Sequence, residues 1–127
     1  MAWLKESYLK NADEVLLHSD KVAKAVFKRE IPHILLLRVG ALDAQVMDQM
    51  LTNYKKLGVQ FIPLSEAAQD PIYDLDPGVT GKWGSELQYQ VLKSRGQGLK
   101  DLGMKPYKGY PEEKLDKICG EIKKAGL

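Results

Sequence analysis

Residues 29–44 read Arg29-Glu30-Ile31-Pro32-His33-Ile34-Leu35-Leu36-Leu37-Arg38-Val39-Gly40-Ala41-Leu42-Asp43-Ala44. The apolar run between Pro32 and Gly40 is nearly continuous, which is typical of a strand that is buried on both faces of a parallel sheet. We therefore predict a strand over residues 33–39 and a turn at Gly40. Asp43 is suited to cap a following helix, because its carboxylate can accept hydrogen bonds from the first unpaired N–H groups. The sequence thus predicts a strand that passes through a turn directly into a helix.

Two helices flank this strand in the predicted order of elements. The first helix ends before Pro32, because the residue that precedes a proline is pushed out of the helical conformation. Its apolar face recurs at steps of three and four residues, at Leu4, Tyr8, Ala12, Val15, Ser19, Val22 and Val26. The second helix ends at Gly58, and its apolar stripe consists of Val46, Met47, Met50, Leu51, Tyr54 and Leu57. Both patterns predict amphipathic helices.

A second strand is predicted over residues 59–63, directly after the second helix. Strand, helix and strand joined by short loops form a βαβ unit, which predicts a parallel strand pair. A short helical turn capped by Ser65 and a helix over residues 82–94 follow. We thus expect a helix-rich α/β fold in a single domain of residues 1–127. Within this domain, a loop and a C-terminal amphipathic helix occupy residues 97–127.

Composition and charge restrict the functions open to a chain of 127 residues. Apolar residues make up 44% of the chain, which is enough for a packed core. The 19 basic and 17 acidic residues are scattered and give a net charge of only +2, which argues against nucleic-acid binding. Cys119 is the single cysteine and excludes an intramolecular disulfide. Because the sequence shows no membrane span and no apolar signal segment, we expect a soluble, cytoplasmic protein without a membrane partner.

Residues 31–44 and 51–67 and the sequence Asp70-Pro71-Ile72-Tyr73 resemble the closing segment of the NodB-type polysaccharide deacetylases, carbohydrate esterase family 4. The resemblance covers roughly residues 3–96. It implies the closing segment of a (β/α) barrel. It also implies descent from divalent-metal hydrolases that remove acetyl groups from amino sugars. In that family an aspartate and two histidines hold the metal and another aspartate acts as base, and these motifs precede the part matched here.

Arg38 stands where the resemblance places the family's general-acid histidine. Arginine stays protonated at physiological pH and cannot exchange a proton during a reaction cycle. The chain has only two histidines, His18 and His33, and they lie fifteen positions apart without neighbouring metal ligands. These departures from the family pattern predict no catalytic residue, no metal site and no cofactor in this chain.

Four residues are candidates for ligand binding: Arg38, Asp43, Tyr73 and Trp83. Arg38 at the carboxyl end of a predicted strand is suited either to bind an anion or to pair with Asp43. Tyr73 and Trp83 are suited either to stack on a sugar or to close a small core or a dimer contact.

The remaining polar features have simpler interpretations. His33 is expected to be a hydrogen-bonded structural residue, and His18 is expected on the solvated side of the first helix. Asp70, Asp74 and Asp76 lie within seven positions, but they lack the glycine and the closing glutamate of an EF-hand calcium loop. Asp-Pro steps are ordinary turn formers, so we interpret this cluster as a loop.

A strand over residues 33–39 without neighbours would expose a row of unpaired main-chain groups. A homodimer, a partner chain that supplies the missing strands, or a small sheet covered by the chain's own helices would each cover it, and we favour the homodimer. The sequence therefore predicts a non-catalytic, deacetylase-like domain that associates with itself, with a protein partner or with a carbohydrate. The alternative is a fragment of a metal-dependent polysaccharide deacetylase whose metal site lies on a missing segment.

Overall fold

The computed structural model describes residues 2–38, 40–80, 85–107, 109 and 112–124, and the side chains of all of these except residues 119 and 122–124. The helices are α1 (Ala2–Phe27), α2 (Ala41–Lys56), α3 (Leu64–Ala67), α4 (Leu87–Ser94) and α5 (Glu112–Lys124). Short 3₁₀ helices span Pro71–Asp74 and Leu99–Leu102. Over these described ranges the chain contains no strand, so the fold is all-α.

The α/β fold and the parallel strand pair predicted from the sequence are therefore wrong. Residues 33–38 and 59–63 are non-helical, but no main-chain hydrogen bond joins the two segments among the residues described, and Val39 lies outside them. A strand is stable only when its N–H and C=O groups pair with a neighbouring strand. The apolar runs have the composition of strands, but the described chain supplies neither of them with a strand neighbour.

Both predicted helix ends are confirmed. α1 ends at Phe27, ahead of Pro32, and the chain leaves the helix through Lys28 at φ +60°. After α2, Gly58 adopts φ +90° and donates its N–H to the carbonyl of Lys55 at 3.0 Å. The next N–H, that of Val59, reaches back to the carbonyl of Tyr54 at 3.0 Å. This pair of bonds is a Schellman motif, which requires the left-handed conformation that glycine adopts without strain.

The predicted helix starts are less accurate. Gly40, in an extended conformation, occupies the N-cap position of α2, and Asp43 lies within the first helical turn. Asp43 is therefore not the capping residue. Ser65 does not cap α3, because that helix begins one residue earlier, at Leu64, and no side chain caps it.

The two later helices agree with the sequence in part. α4 begins at Leu87 rather than at residue 82, since residues 85 and 86 are non-helical and residues 82–84 lie outside the described ranges. α5 coincides with the predicted C-terminal amphipathic helix, with Glu112 and Glu113 in its first turn. Negative charge there is favourable next to the positive end of the helix dipole.

The core forms around α1, which packs against α2 and against α4. Val22 and Val26 of α1 are buried together with Val91 and Leu92 of α4. Partly buried apolar residues complete this cluster: Phe27, Leu87, Tyr89, Leu99, Leu102 and Met104. The buried residues of α2 are Val46, Met50 and Tyr54.

Side-chain hydrogen bonds show that α1 and α2 run in the same direction. Near the start of both helices, the Tyr8 hydroxyl donates to the Asp43 carboxylate at 2.8 Å. Further along both helices, the Tyr54 hydroxyl donates to the carbonyl of Ala12 at 3.2 Å. Since both residue numbers rise together, the helices are parallel.

α4 is parallel to α1 by the same criterion. The Ser19 hydroxyl donates to the carboxylate of Glu86, just before α4, at 2.6 Å. Past the end of α4, the Arg95 guanidinium donates to the carbonyl of Val26 at 3.5 Å. All three helices thus point the same way. The connection between α1 and α2 has to return along α1, whereas α4 begins beside Ser19, further along α1 than the contact of Tyr54 with Ala12.

The return between α1 and α2 is non-helical at its described residues, 28–38 and 40. Nineteen residues of α1 separate Tyr8 from Phe27 (27 − 8 = 19), which is about 28 Å at the helical rise. The chain covers this distance in 13 residues (40 − 27 = 13), or about 2.2 Å per residue, which lies between the rise of a helix and that of a strand. The return therefore runs back along α1 as a connection more open than a helix.

Candidate association surface

The most exposed apolar side chains of the return lie at residues 33–38, which we name the leucine segment. Ile34 and Leu35 are 49% and 47% exposed, and Leu36 is 90% exposed. Leucine and isoleucine are among the residues that folded proteins bury most often. Three consecutive apolar side chains left in water mark a surface that gains free energy when another molecule covers it.

An ion pair fixes the start of the return. The Arg29 guanidinium donates two hydrogen bonds to the Asp70 carboxylate, one of them at 2.8 Å. Asp70 also accepts the N–H of Ile72 at 2.9 Å and so caps the 3₁₀ helix that follows it. The hydrogen bond from Arg29, followed by that from the Ile72 N–H, lowers the pKa of Asp70 to about 2. This pair joins residue 29 to a loop about forty positions later.

Tyr73 holds the leucine segment itself. Its hydroxyl donates to the carbonyl of Pro32 and lies against the N–H of Ile34. Partial burial, followed by the nearby charge of Asp70, raises the pKa of the Tyr73 hydroxyl. In an extended chain, the main-chain groups of every second residue point to the same side. The Tyr73 hydroxyl can therefore lie near the carbonyl of Pro32 and the N–H of Ile34 at once.

The hydrogen bonds to this segment leave one of its edges open. The carbonyl of Glu30 accepts from Arg29 at 3.0 Å, and Tyr73 engages Pro32 and Ile34, so all three partners are even-numbered. Because alternate main-chain groups of an extended chain point to opposite sides, we assign the main-chain groups of residues 31, 33, 35 and 37 to the other side. We name these groups the open edge, because they make no hydrogen bond with any residue that the structure describes.

The predicted pairing of Arg38 with Asp43 is not formed. The Asp43 carboxylate instead accepts the Tyr8 hydroxyl and holds α2 against α1. Arg38 is exposed and makes no ion pair with a described residue. Of the other two predicted ligand-binding residues, Tyr73 is engaged by the main chain of the return, and Trp83 lies outside the described residues. Among the described candidates, Asp43 and Tyr73 thus hold the fold together, and Arg38 is the one with an exposed, unpaired charge.

His18 has a structural role that sequence reasoning missed. It is half-buried, its Nε2 donates to the carbonyl of Lys105 at 2.8 Å, and its Nδ1 accepts the Tyr89 hydroxyl at 2.9 Å. A carbonyl can only accept, which assigns the proton to Nε2. The imidazole also stacks on the Tyr89 ring and contacts that of Tyr107. The predicted solvated position is wrong, since the partners lie 71 to 89 residues away in the sequence and leave no local signal.

His33 lies at the start of the leucine segment, beside α1. Its Nε2 is 3.6 Å from the Asp20 carboxylate, within ion-pair distance but too far for a hydrogen bond. The same nitrogen is buried and has no hydrogen-bond partner among the described residues. The position is structural, as predicted, but the expected hydrogen bond is not formed. Asp20 also pairs with Lys24 at 2.9 Å.

The aspartate cluster serves the loop, as the sequence predicts. Asp70 pairs with Arg29, and Asp76 accepts the N–H of Gly78 at 2.8 Å within a turn. The described residues contain no group of three or more side chains suited to hold a metal ion. They also include no helix that is long and apolar enough to cross a membrane. The side chain of Cys119, expected near the apolar stripe of α5, lies outside the description.

Comparison of the chain with protein-family models, with curated proteins and with solved structures finds no match. The features that bear on function are therefore those of the molecule itself: an exposed apolar segment, an open main-chain edge, and two side chains that hold the opposite edge in place.

Proposed function

We propose that this chain is a non-catalytic domain that acts by association, and that the leucine segment is the surface through which it associates with a second copy of itself. The observation that carries the proposal is the 90% exposure of Leu36 between partly exposed neighbours. Full burial of one such side chain contributes about 1.5–3 kcal/mol, so covering Leu36 and the exposed halves of Ile34 and Leu35 would contribute about 3–6 kcal/mol. That amount is a substantial part of the free energy of a micromolar dimer, which is about 8 kcal/mol.

The positions of the histidines support a non-catalytic function. His18 is bonded through both ring nitrogens to Tyr89 and Lys105, and His33 lies against Asp20. Neither imidazole is free to face a substrate. Arg38, at the position where the deacetylase resemblance would place a histidine, remains charged and cannot transfer a proton at neutral pH. Descent from the NodB-type deacetylases remains a prediction from the sequence.

The structure favours a protein surface over a sugar as the associating group. Tyr73, a candidate for stacking on a sugar, uses its hydroxyl to hold Pro32 and Ile34. The exposed residues of the leucine segment are aliphatic, whereas carbohydrate platforms are built from aromatic rings with nearby hydrogen-bonding groups. Aliphatic side chains next to an open main-chain edge suit a second polypeptide, because strand addition uses both.

The test is light scattering after gel filtration at micromolar concentrations, with a thermal melt of the same sample. We expect a dimer mass and a cooperative melt for the native chain, and a monomer mass for Leu36→Ser. Leu64→Ser is the control, since Leu64 is also a largely exposed apolar residue, at 64%, but lies in α3, and it should remain dimeric. Because Leu36 has almost no contacts to lose, its replacement should leave the melting temperature of the monomer unchanged.

Two results would count against the proposal. A monomer mass for the native chain, together with a cooperative melt, would show that the leucine segment does not mediate self-association. A melt without cooperativity, accompanied by soluble aggregate, would favour the alternative of a deacetylase fragment whose missing segment normally covers these side chains.

A further inference from the structure

We infer that two copies of this chain pair antiparallel along the open edge of the leucine segment, with Ile34 of one copy opposite Ile34 of the other. This inference rests on the proposed function and adds the geometry of the contact and its register. It is a pairing between molecules, and each copy keeps the all-α fold described above.

The first step of the argument is the division of the main chain into two edges. Tyr73 engages the main-chain groups of residues 32 and 34, so this part of the edge is held by the loop that carries Tyr73. Residues 31, 33, 35 and 37 present their N–H and C=O groups on the opposite edge, where no described residue meets them. A second extended chain can therefore add on that side only.

The second step concerns Pro32, which has no N–H to donate. In an antiparallel pair, residues alternate between pairs that exchange hydrogen bonds and pairs that do not. Pairing along the open edge assigns the odd-numbered residues to the bonded pairs and Pro32 to an unbonded one. The nitrogen of Pro32 then faces away from the partner strand. Sheets tolerate proline at such positions because no hydrogen bond from its nitrogen is needed.

The third step is charge, which selects the register. With Ile34 opposite itself, Glu30 of each copy lies opposite Arg38 of the other, which gives two symmetric ion pairs. Shifting the centre by one residue toward the N-terminus places Arg38 opposite Lys28. Shifting it by one residue the other way places Arg38 opposite Pro32 and leaves both charges without a partner. Arg38 is exposed and without an ion pair among described residues, so it is available for this contact.

Glu30 already has one cationic neighbour, and this does not prevent the second. Its carboxylate lies 3.0 Å from the Lys24 ammonium, and its side chain is 83% exposed. An exposed carboxylate has room for two cations, because its two oxygens offer several acceptor positions. The Glu30 carboxylate can thus bridge Lys24 of its own copy and Arg38 of the other.

The fourth step is the distribution of apolar side chains. Side chains alternate between faces in an extended chain. The buried Ile31 and the partly buried His33 and Leu37 are odd-numbered, and the odd-numbered Leu35 is 47% exposed. The even-numbered Ile34 and Leu36 lie on the outer face. In the inferred register, Ile34 meets Ile34, and Leu36 meets Pro32 of the other copy. The most exposed apolar atoms of the segment are thereby covered first.

A cysteine cross-link tests the register directly. In a Cys119→Ser background, Ile34→Cys places two thiols on residues whose Cα atoms are about 4.5 Å apart in an unbonded antiparallel pair, within the range of a disulfide. Leu36→Cys is the matched control, because its two copies are four strand positions apart, about 13 Å, beyond that range. Mild oxidation followed by non-reducing electrophoresis should show covalent dimer for Ile34→Cys and none for Leu36→Cys.

A charge exchange tests the ion pairs independently of the new thiols. Glu30→Arg and Arg38→Glu should each weaken the dimer roughly tenfold by sedimentation equilibrium, since each change makes two symmetric contacts repulsive. The double variant Glu30→Arg, Arg38→Glu restores opposite charges and should recover the native dissociation constant to within about threefold.

The outcomes separate the register from the proposed function. If the native chain dimerises and Leu36→Ser abolishes the dimer, but Ile34→Cys fails to cross-link or the double variant fails to recover, the register is wrong and association through the leucine segment stands. If the native chain is monomeric at every concentration, both are wrong. Cross-linking of Leu36→Cys as fast as Ile34→Cys would also overturn the register.

Discussion

Replacing Tyr73 by phenylalanine removes the group that holds the leucine segment while leaving the ring in place. The hydroxyl donates to the carbonyl of Pro32 and meets the N–H of Ile34. A hydrogen bond of this kind contributes about 0.5–1.5 kcal/mol net, and the partial exposure of the segment favours the lower half of that range. We therefore expect Tyr73→Phe to lower the free energy of unfolding by about 0.5–1 kcal/mol, or the melting temperature by about 2–5 °C.

Urea denaturation gives the first readout, and amide hydrogen exchange gives the more specific one. The Ile34 N–H should exchange faster in Tyr73→Phe under conditions where the monomer stays folded, because the segment is no longer held at Pro32 and opens more often. Tyr107→Phe is the control, since the Tyr107 ring contacts His18 and no hydrogen bond of its hydroxyl to a described residue is found. Unchanged exchange at Ile34, or equal losses of stability in both variants, would refute the anchoring role of Tyr73.

Three further predictions concern the core, the loop ion pair and the end of α2. Met50 is only 1% exposed, so Met50→Ala should lower the free energy of unfolding by about 2–5 kcal/mol in urea denaturation. Leu36→Ala should change that free energy by less than about 0.5 kcal/mol in the monomer. Equal losses in the two variants would contradict the packing of α1, α2 and α4. The pKa of Asp70 lies near 2 instead of its usual 3.8. The ionised carboxylate should therefore contribute fully to stability above about pH 4, and this contribution should be lost as pH falls toward 2. Thermal melts across this pH range should show a smaller pH dependence for Asp70→Asn than for the native chain. Gly58→Ala, at φ +90°, should lower the melting temperature through about 1 kcal/mol of backbone strain, while Gly98→Ala, at φ −138° with no atom near a new Cβ, should have little effect.

Features encoded within a few residues of sequence were predictable. The end of α1 before Pro32 follows from the steric effect of proline on the preceding residue. The end of α2 follows from the need for a left-handed residue at Gly58. The stripe of α2 is confirmed at Val46, Met50 and Tyr54, which are buried, but not at Leu57, which follows the helix and is 43% exposed. The two helix ends follow from backbone preferences, and the stripe follows from the 3.6-residue period of a helix. Backbone preferences and helical period can both be read without knowing a distant partner.

The strands were not predictable, because an apolar run fixes neither main-chain pairing nor side-chain burial, and Leu36 within it is 90% exposed. Residues 33–38 have the composition of a strand, yet the described chain offers them no neighbouring strand. A pattern of this kind cannot distinguish a strand from an extended connection that returns along a helix. The direction of α2 relative to α1 decides which of the two forms, and that direction is set by contacts such as Tyr8 with Asp43.

The candidate site was predicted in part, for a similar reason. Exposure of an apolar segment and its need for a cover could be inferred from residues 33–39. The roles of the individual side chains could not, because Asp43 pairs with Tyr8, 35 positions away, and Tyr73 pairs with Pro32, 41 positions away. Their electrostatic and hydrogen-bonding partners are tertiary, whereas the sequence pattern shows only neighbours along one element.

The parallel arrangement of α1, α2 and α4 has an electrical consequence. Antiparallel helices largely cancel one another's dipoles, whereas helices that point the same way do not, so each leaves partial negative charge at its own C-terminus. The end of α1 lies near the end of α4, and the end of α2 lies beside the middle of α1. Each of these helices carries lysine in its last turn: Lys24, Lys55 with Lys56, and Lys93. Neutralising these ammonium groups together, as by acetylation, would leave the three helix ends without a compensating charge while leaving the core unchanged.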